Sequence, residues 1–191
     1  RHTRLGRWSR GLGDVYKRQL PEGYPENLGG PFELRDGRLV SIRAILPADA
    51  AEIADALEAA DRETLLHRFF TAAPHLTNQQ IHYLAEVDYR RRLALIAHDH
   101  DGRGVAIARY ECHRQSRVAE VAVVVAPEWR GQGLATEMLR MLEDPARTNG
   151  FEAFDAVYLP SNEAVARVFR NLDYSPARIE DGLSSVSKVL V

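Results

Sequence analysis

The residues able to do chemistry concentrate in one stretch: Glu120-Val121-Ala122-Val123-Val124-Val125-Ala126-Pro127-Glu128-Trp129-Arg130-Gly131-Gln132-Gly133-Leu134-Ala135. An acid opens an apolar, branched run with strand character. Pro127 ends it, and two glycines lead into a helical pattern. Glycine lets backbone N–H groups approach an anion closely, and a helix N-terminus adds partial positive charge. A pyrophosphate suits such a turn. No Lys-Ser/Thr follows the second glycine, so this is not a Walker A loop, and the third glycine of a dinucleotide fingerprint is missing. The glycines alone fit a plain strand–turn–helix link equally well. Arg130 is either a phosphate contact or a solvated turn residue.

Glu120 is the candidate acid–base group. By strand alternation it shares a face with Ala122 and Val124, small neighbours that leave room for a substrate. Partial burial at the start of an apolar strand would raise its pKa toward the range useful to a general base. The plain alternative is a solvated Glu at a strand start. His98, His100 and Asp101 lie in a polar turn and make a weak case for a metal; none is expected. Cys112 reads as a packed thiol. Phe69 and Phe70 fit either the core or the side of an acceptor groove.

The elements that position these residues follow from periodicity. Residues 32–43 form a hairpin about Asp36-Gly37. Pro47 opens a helix with Ile53, Ala56, Leu57 and Ala60 on one face, and a short helix follows over 62–70. Thr77 caps a third, with Gln80 at the capping-box offset. Strands are expected over 93–97, 105–110, 118–126 and 154–159. Helices are expected over 133–149 and from a cap at Ser161 or Asn162 through Leu172. Pro145 should break the first of these near Glu143–Asp144. The tail, 174–179 and 183–191, reads as a strand pair about Asp181-Gly182. The order is that of an α/β domain with a mixed central sheet.

The chain has 191 residues, 45% of them hydrophobic, with 25 Lys+Arg against 27 Asp+Glu and one Cys. That length suits one domain. One Cys excludes an internal disulfide and a multi-Cys zinc site. No apolar run reaches the roughly 20 residues that span a bilayer. The near-neutral charge argues against a general nucleic-acid binder. The expectation is a cytoplasmic protein that uses neither nucleic acid nor membrane.

Residues 1–19 stand apart. They are Arg-rich, which alone would fit a basic arm or a transit peptide. Ser9 to Gln19 also resembles the in-frame translation of a transposase-type sequencing adapter. On that reading 1–19 is an artefact without a fold, and the natural N-terminus is not in the chain. Setting it aside removes six basic residues and one acid, leaving 172 residues with a formal charge of −7. Residues 20–31, rich in Pro and Gly, then read as a linker, and 32–191 as the folded domain.

Taken whole, Arg130-Gly131-Gln132-Gly133-Leu134-Ala135 resembles the coenzyme-A motif Arg/Gln-x-x-Gly-x-Gly/Ala of the Gcn5-related N-acetyltransferases. Asn162 and the helix ending Leu172-Asp173-Tyr174 resemble that family's next segment, with Asp173 and Tyr174 in place of the usual Gly and Phe. Further segments, among them 34–37, 47–50, 68–70, 87–89 and 119–125, resemble the catalytic domain of bacterial protein lysine acetyltransferases that act on acyl-CoA synthetases. That domain is often fused to a cyclic-nucleotide-binding or synthetase-like domain.

The resemblance implies a mostly antiparallel sheet, splayed between two central strands and flanked by helices. It implies acetyl-CoA as cosubstrate and no metal. Main-chain groups of Val123 and Val125 would pair with pantetheine, and amides of Arg130, Gly131, Gln132, Gly133, Leu134 and Ala135 would hold the pyrophosphate. Asn162 would touch the pantetheine arm, or simply cap its helix. Glu120 would serve as base toward a protein lysine, with a small-molecule amine or a non-catalytic acyl-CoA sensor as alternatives. The position where many relatives carry an acidic Tyr is Phe169, so the general acid stays unassigned, as does the oligomeric state.

Overall fold

The computed structural model describes residues 20–70, 76–112 and 116–190. The segment read as adapter-derived, 1–19, lies outside them. Eight strands form one sheet in the order β1-β2-β3-β4-β5-β6-β8-β7. They are β1 (Gly29–Glu33), β2 (Leu39–Ala44), β3 (Arg92–His98), β4 (Gly104–Glu111), β5 (Val118–Val125), β6 (Ala153–Tyr158), β7 (Arg178–Glu180) and β8 (Leu183–Val189). Every neighbouring pair is antiparallel except β5–β6, which is parallel. The expected mixed α/β sheet is present.

The helices are α1 (Ala50–Ala59), α2 (Arg62–Phe69), α3 (Asn78–Ala85), α4 (Leu134–Thr148) and α5 (Glu163–Asn171). Strand alternation divides the core between two faces. On β3, Leu93, Leu95 and Ala97 join the cluster built on Leu134, Met138, Leu139 and Leu142 of α4. Ala94, one residue out of phase, joins Ile53 of α1 and Ala85 of α3. Both faces of β3 are therefore covered, which is why it reads as an unbroken apolar run. Each fully buried Leu or Met of α4 contributes about 1.5–3 kcal/mol.

Local signals account for several boundaries. Asp36-Gly37 turns the β1–β2 hairpin, with Gly37 at φ +84°. Thr77 and Gln80 form the capping box at the start of α3. Gly150, at φ +85°, follows α4 and donates its N–H to the Arg147 carbonyl.

Two expectations need correction. The segment read as a linker is part of the fold: β1 begins at Gly29, and Tyr24 and Leu28 pack on the main core. The Tyr24 hydroxyl donates to the Ala44 carbonyl at 3.2 Å. The helix also does not break at Glu143–Asp144; α4 runs through Pro145 to Thr148. Pro145 falls in the last turn, where one missing N–H leaves only the Met141 carbonyl short of its helical partner. Tertiary contacts hold that turn. Ala146 is fully buried, Glu143 accepts from Lys188 Nζ at 2.6 Å, and Arg147 donates to the Leu190 carbonyl.

Candidate active site

The β5–β6 ladder pairs only Val118–Glu120 with Ala153–Asp155. Beyond Glu120 the two strands part, while β5 stays paired with β4 as far as Val125. The Ala126 N–H donates to the Val105 carbonyl at 2.9 Å. By antiparallel alternation, Val123 and Val125 turn their N–H and C=O groups away from β4, into the opening. The splay thus exposes a strand edge that no other strand pairs and that an extended amide-bearing ligand can join, although the Val125 carbonyl on it already accepts from Arg130 Nε. A cleft of about 280 Å³ fills it, lined by β5, the 130–133 turn apart from Gln132, the first turn of α4, and Tyr158, Asn162 and Phe169.

The turn closes one end of this cleft. Gly131 and Gly133 have φ of +74° and +91°, a left-handed conformation that favours glycine. Nothing lies within 4 Å of a Cβ placed on Gly131. Arg130, Gly131, Gly133, Leu134 and Ala135 line the cleft. Gln132 does not; its carbonyl instead accepts from the Arg35 N–H at 3.3 Å. The N-terminus of α4, at Leu134, therefore faces the opening, with partial positive charge for an anion.

Arg130 is tied down within the protein. Its Nε donates to the Val125 carbonyl at 3.0 Å and its Nη2 to Thr64 Oγ1 at 2.6 Å. Thr64 in turn donates to Asp61, which caps α2. The motif arginine thus joins the turn to α2, a contact across 66 residues of sequence. Asn162 caps α5, its Oδ1 accepting from the Val165 N–H at 3.1 Å, and it also lines the cleft.

At the other end of the opening, Glu120 is exposed. The partial burial expected of it is absent, because β5 and β6 begin to diverge at this residue. Its neighbours were not anticipated. Glu120 is in register with Glu111 of β4 on one side and with Asp155 of β6 on the other. Registered residues share a face, so three carboxylates form a row across the neck of the splay. Burial raises the pKa of Asp155 above the usual carboxylate value.

Cations frame the row. Arg109 is buried and donates to Glu111 at 3.2 Å; burial, opposed by Glu111, pushes its pKa down to about 10. Arg68 of α2 is half-buried and lies 5.0 Å from the Phe69 ring centroid. Burial lowers its pKa against the pull of Glu120 and Glu111. Tyr83 donates its hydroxyl to Glu111, a bond that raises the Tyr83 pKa.

The remaining candidates resolve simply. Asp99, His100 and Asp101 bring ligand atoms within 4.8 Å of one another, on a polar turn in which Asp99 accepts the N–H groups of Asp101 and Arg103. His98 lies apart from them, 3.1 Å from Glu52. Cys112 is buried, 3.3 Å from Arg91 Nη2. Phe69 is half-buried, facing the space beneath α1, while Phe70 is exposed beside the cleft. Phe169 and Tyr174 are core residues with ring centroids 4.8 Å apart. Among the described residues no helix is long and apolar enough to cross a membrane.

This fold and cleft are those of an acetyltransferase (GNAT) domain, whose family model matches residues 40–175; the chain belongs to that family. It is 30% identical over 156 residues to acetyltransferase PA5475 of Pseudomonas aeruginosa, covering 80% of this chain and 84% of the relative. It is 28% identical over 145 residues to acetyltransferase Pat of Mycolicibacterium smegmatis, covering 74% of this chain but only 43% of that longer protein. The GNAT domain of S. lividans PAT superimposes with a TM-score of 0.80 at 28% identity, over 87% of this chain and 99% of that one. The fold also matches yncA of Salmonella typhimurium, solved with its cofactor acetyl-CoA, at a TM-score of 0.64 and 20% identity over 80% and 94% of the chains. The chain is an N-acetyltransferase by family.

Proposed function

We propose that this protein transfers an acetyl group from acetyl-CoA to a lysine ε-amine of a protein, with acyl-CoA synthetases as the leading acceptor class. The observation that carries the reading is the continuous path from the 130–135 turn, along the open edge of β5, to the carboxylate row at Glu120. A phosphate-bearing carrier with an amide-containing arm fits that path. Its pyrophosphate meets the N-terminus of α4, and its arm pairs with Val123 and Val125 as an added strand. Gln132 is not among the residues lining the cleft, so its part in the assignment rests on its main-chain amide within the turn. Asn162 remains beside the arm while capping α5.

The acceptor end of the path is negative. A lysine ammonium is drawn to the carboxylate row and held near the thioester. With a reference pKa of about 10.4, it must lose a proton before it can attack, at a cost of roughly 4–5 kcal/mol at neutral pH. Glu120, exposed at the neck of the splay, takes that proton directly or through water. The amine nitrogen then bonds to the acetyl carbonyl carbon, the carbon–sulfur bond breaks, the nitrogen gives up its second proton to solvent, and the departing thiolate takes a proton from solvent. Phe169 has no proton to give.

Incubation with acetyl-CoA and either an acyl-CoA synthetase or a panel of small amines tests this reading, with site-resolved mass spectrometry as the readout. Acetylation of a synthetase lysine supports it. Turnover confined to small amines replaces the acceptor class. Coenzyme-A binding without turnover on any acceptor assigns the protein as a sensor.

A further inference from the structure

A second cavity, of about 580 Å³, lies beneath α1 and α2, against the sheet face of β3, β4 and β5. It falls within the roughly 300–1,000 Å³ range of sites that bury small molecules. Ile53, Leu57, Leu65, Phe69, Ile96 and Ile107 give it an apolar wall. It adjoins the cleft already described: Thr64, Arg68, Ala122 and Val124 line both spaces. Ala122, between Glu120 and Val124 on the same strand face, puts only a methyl group at the junction.

We propose that this cavity receives the acyl chain of a thioester longer than acetyl, so that the protein accepts medium-chain acyl-CoA as donor. The proposal rests on the coenzyme-A reading above and extends it. Charge favours a neutral chain over the acceptor amine as occupant. Among the described residues no carboxylate lies within ion-pair distance of Arg68, which lines both spaces, while Arg109 on the cavity wall is paired with Glu111 at 3.2 Å. The Arg68 guanidinium at the junction repels an ammonium and leaves an uncharged methylene chain unaffected. The acids of the lining are engaged or peripheral. Glu52 binds His98 and the Gly104 N–H, Asp61 caps α2, Glu128 lies 3.8 Å from Arg103, and Asp55 is exposed on α1. The interior thus offers a chain apolar contacts and an amine no partner.

Calorimetry of the whole chain with coenzyme A and its acetyl, butyryl, hexanoyl and succinyl thioesters tests this without any acceptor. Each methylene buried strengthens binding about fourfold in the ideal case. Hexanoyl-CoA is expected to bind at least about tenfold more tightly than acetyl-CoA. Filling the cavity from its exposed wall with Ala56→Phe, or from the sheet with Ile107→Phe, should abolish the gain and leave acetyl-CoA affinity unchanged. Equal affinity along the series, with coenzyme A itself bound, overturns the proposal and spares the cofactor reading. A gain for succinyl-CoA alone also overturns it, giving the cavity to a carboxylate on Arg68 and Arg109. Failure to bind coenzyme A at all overturns both.

Discussion

Glu120 of β5 stands directly opposite Glu111 of β4 in the antiparallel register. Like charges so placed are unfavourable unless something compensates them. Here Arg109 and Tyr83 bind Glu111, and Arg68 faces both acids from α2. The arrangement keeps negative charge at the neck of the splay, where the proposed acceptor amine would arrive.

Glu111 should therefore act on acceptor binding and leave the chemical step alone. Glu111 is half-buried and already paired with Arg109, so its pull on an arriving ammonium is worth about 0.2–1 kcal/mol. Glu111→Gln is expected to raise the KM for a lysine acceptor by up to about fivefold. Steady-state kinetics should show kcat and acetyl-CoA KM nearly unchanged.

The Arg130–Thr64 bond joins the anion-facing turn to α2. Thr64→Val keeps the shape of the side chain and removes the acceptor, leaving Arg130 Nη2 without its 2.6 Å partner. The expected loss is about 1–3 kcal/mol of stability, read from urea denaturation. Thr64→Ser restores the oxygen and should recover most of it.

Pro145 is carried by α4 at the expense of one helical hydrogen bond. Pro145→Ala restores the N–H toward the Met141 carbonyl. The propensity gain of about 3 kcal/mol is partly offset by a more flexible unfolded chain, leaving about 2 kcal/mol of stabilisation. A higher thermal midpoint with unchanged helix content checks this.

Tyr110 is fully buried; its hydroxyl donates to the Arg90 carbonyl and accepts from Asn149 Nδ2, both at 3.0 Å. Burial, partly opposed by the Asn149 bond, pushes its pKa up to about 12. Its folded pKa thus exceeds the unfolded value of about 10. The stability it contributes is full below pH 10 and is lost as pH rises through 12, roughly 2–3 kcal/mol in all. Unfolding free energy measured across that window should fall, and Tyr110→Phe should fall less steeply.

What could be read from sequence was local. The turn at Arg130–Ala135, the apolar stripe of α4 and the Thr77–Gln80 capping box each lie within a few residues, where spacing reports geometry directly. What could not be read depends on register between distant strands. Glu111 and Asp155 gain their meaning only when β4 and β6 align on Glu120. Arg130 meets Thr64 across two layers of the fold, so spacing alone left its role open. Pro145 misled because local propensity was outweighed by packing at Ala146 and the ion pairs of Glu143. The exposure of Glu120 was missed for a similar reason: an apolar strand suggests burial, but this one parts from its neighbour at that residue.

The central claim is that Glu120 removes the acceptor's proton while coenzyme A is held elsewhere in the cleft. Single-turnover transfer from bound acetyl-CoA to a synthetase lysine, compared between the native protein and Glu120→Gln, tests it most directly. The account predicts a rate at least about 10²-fold lower in the variant, with acetyl-CoA affinity within about twofold of native. Equal rates in the two proteins would contradict it.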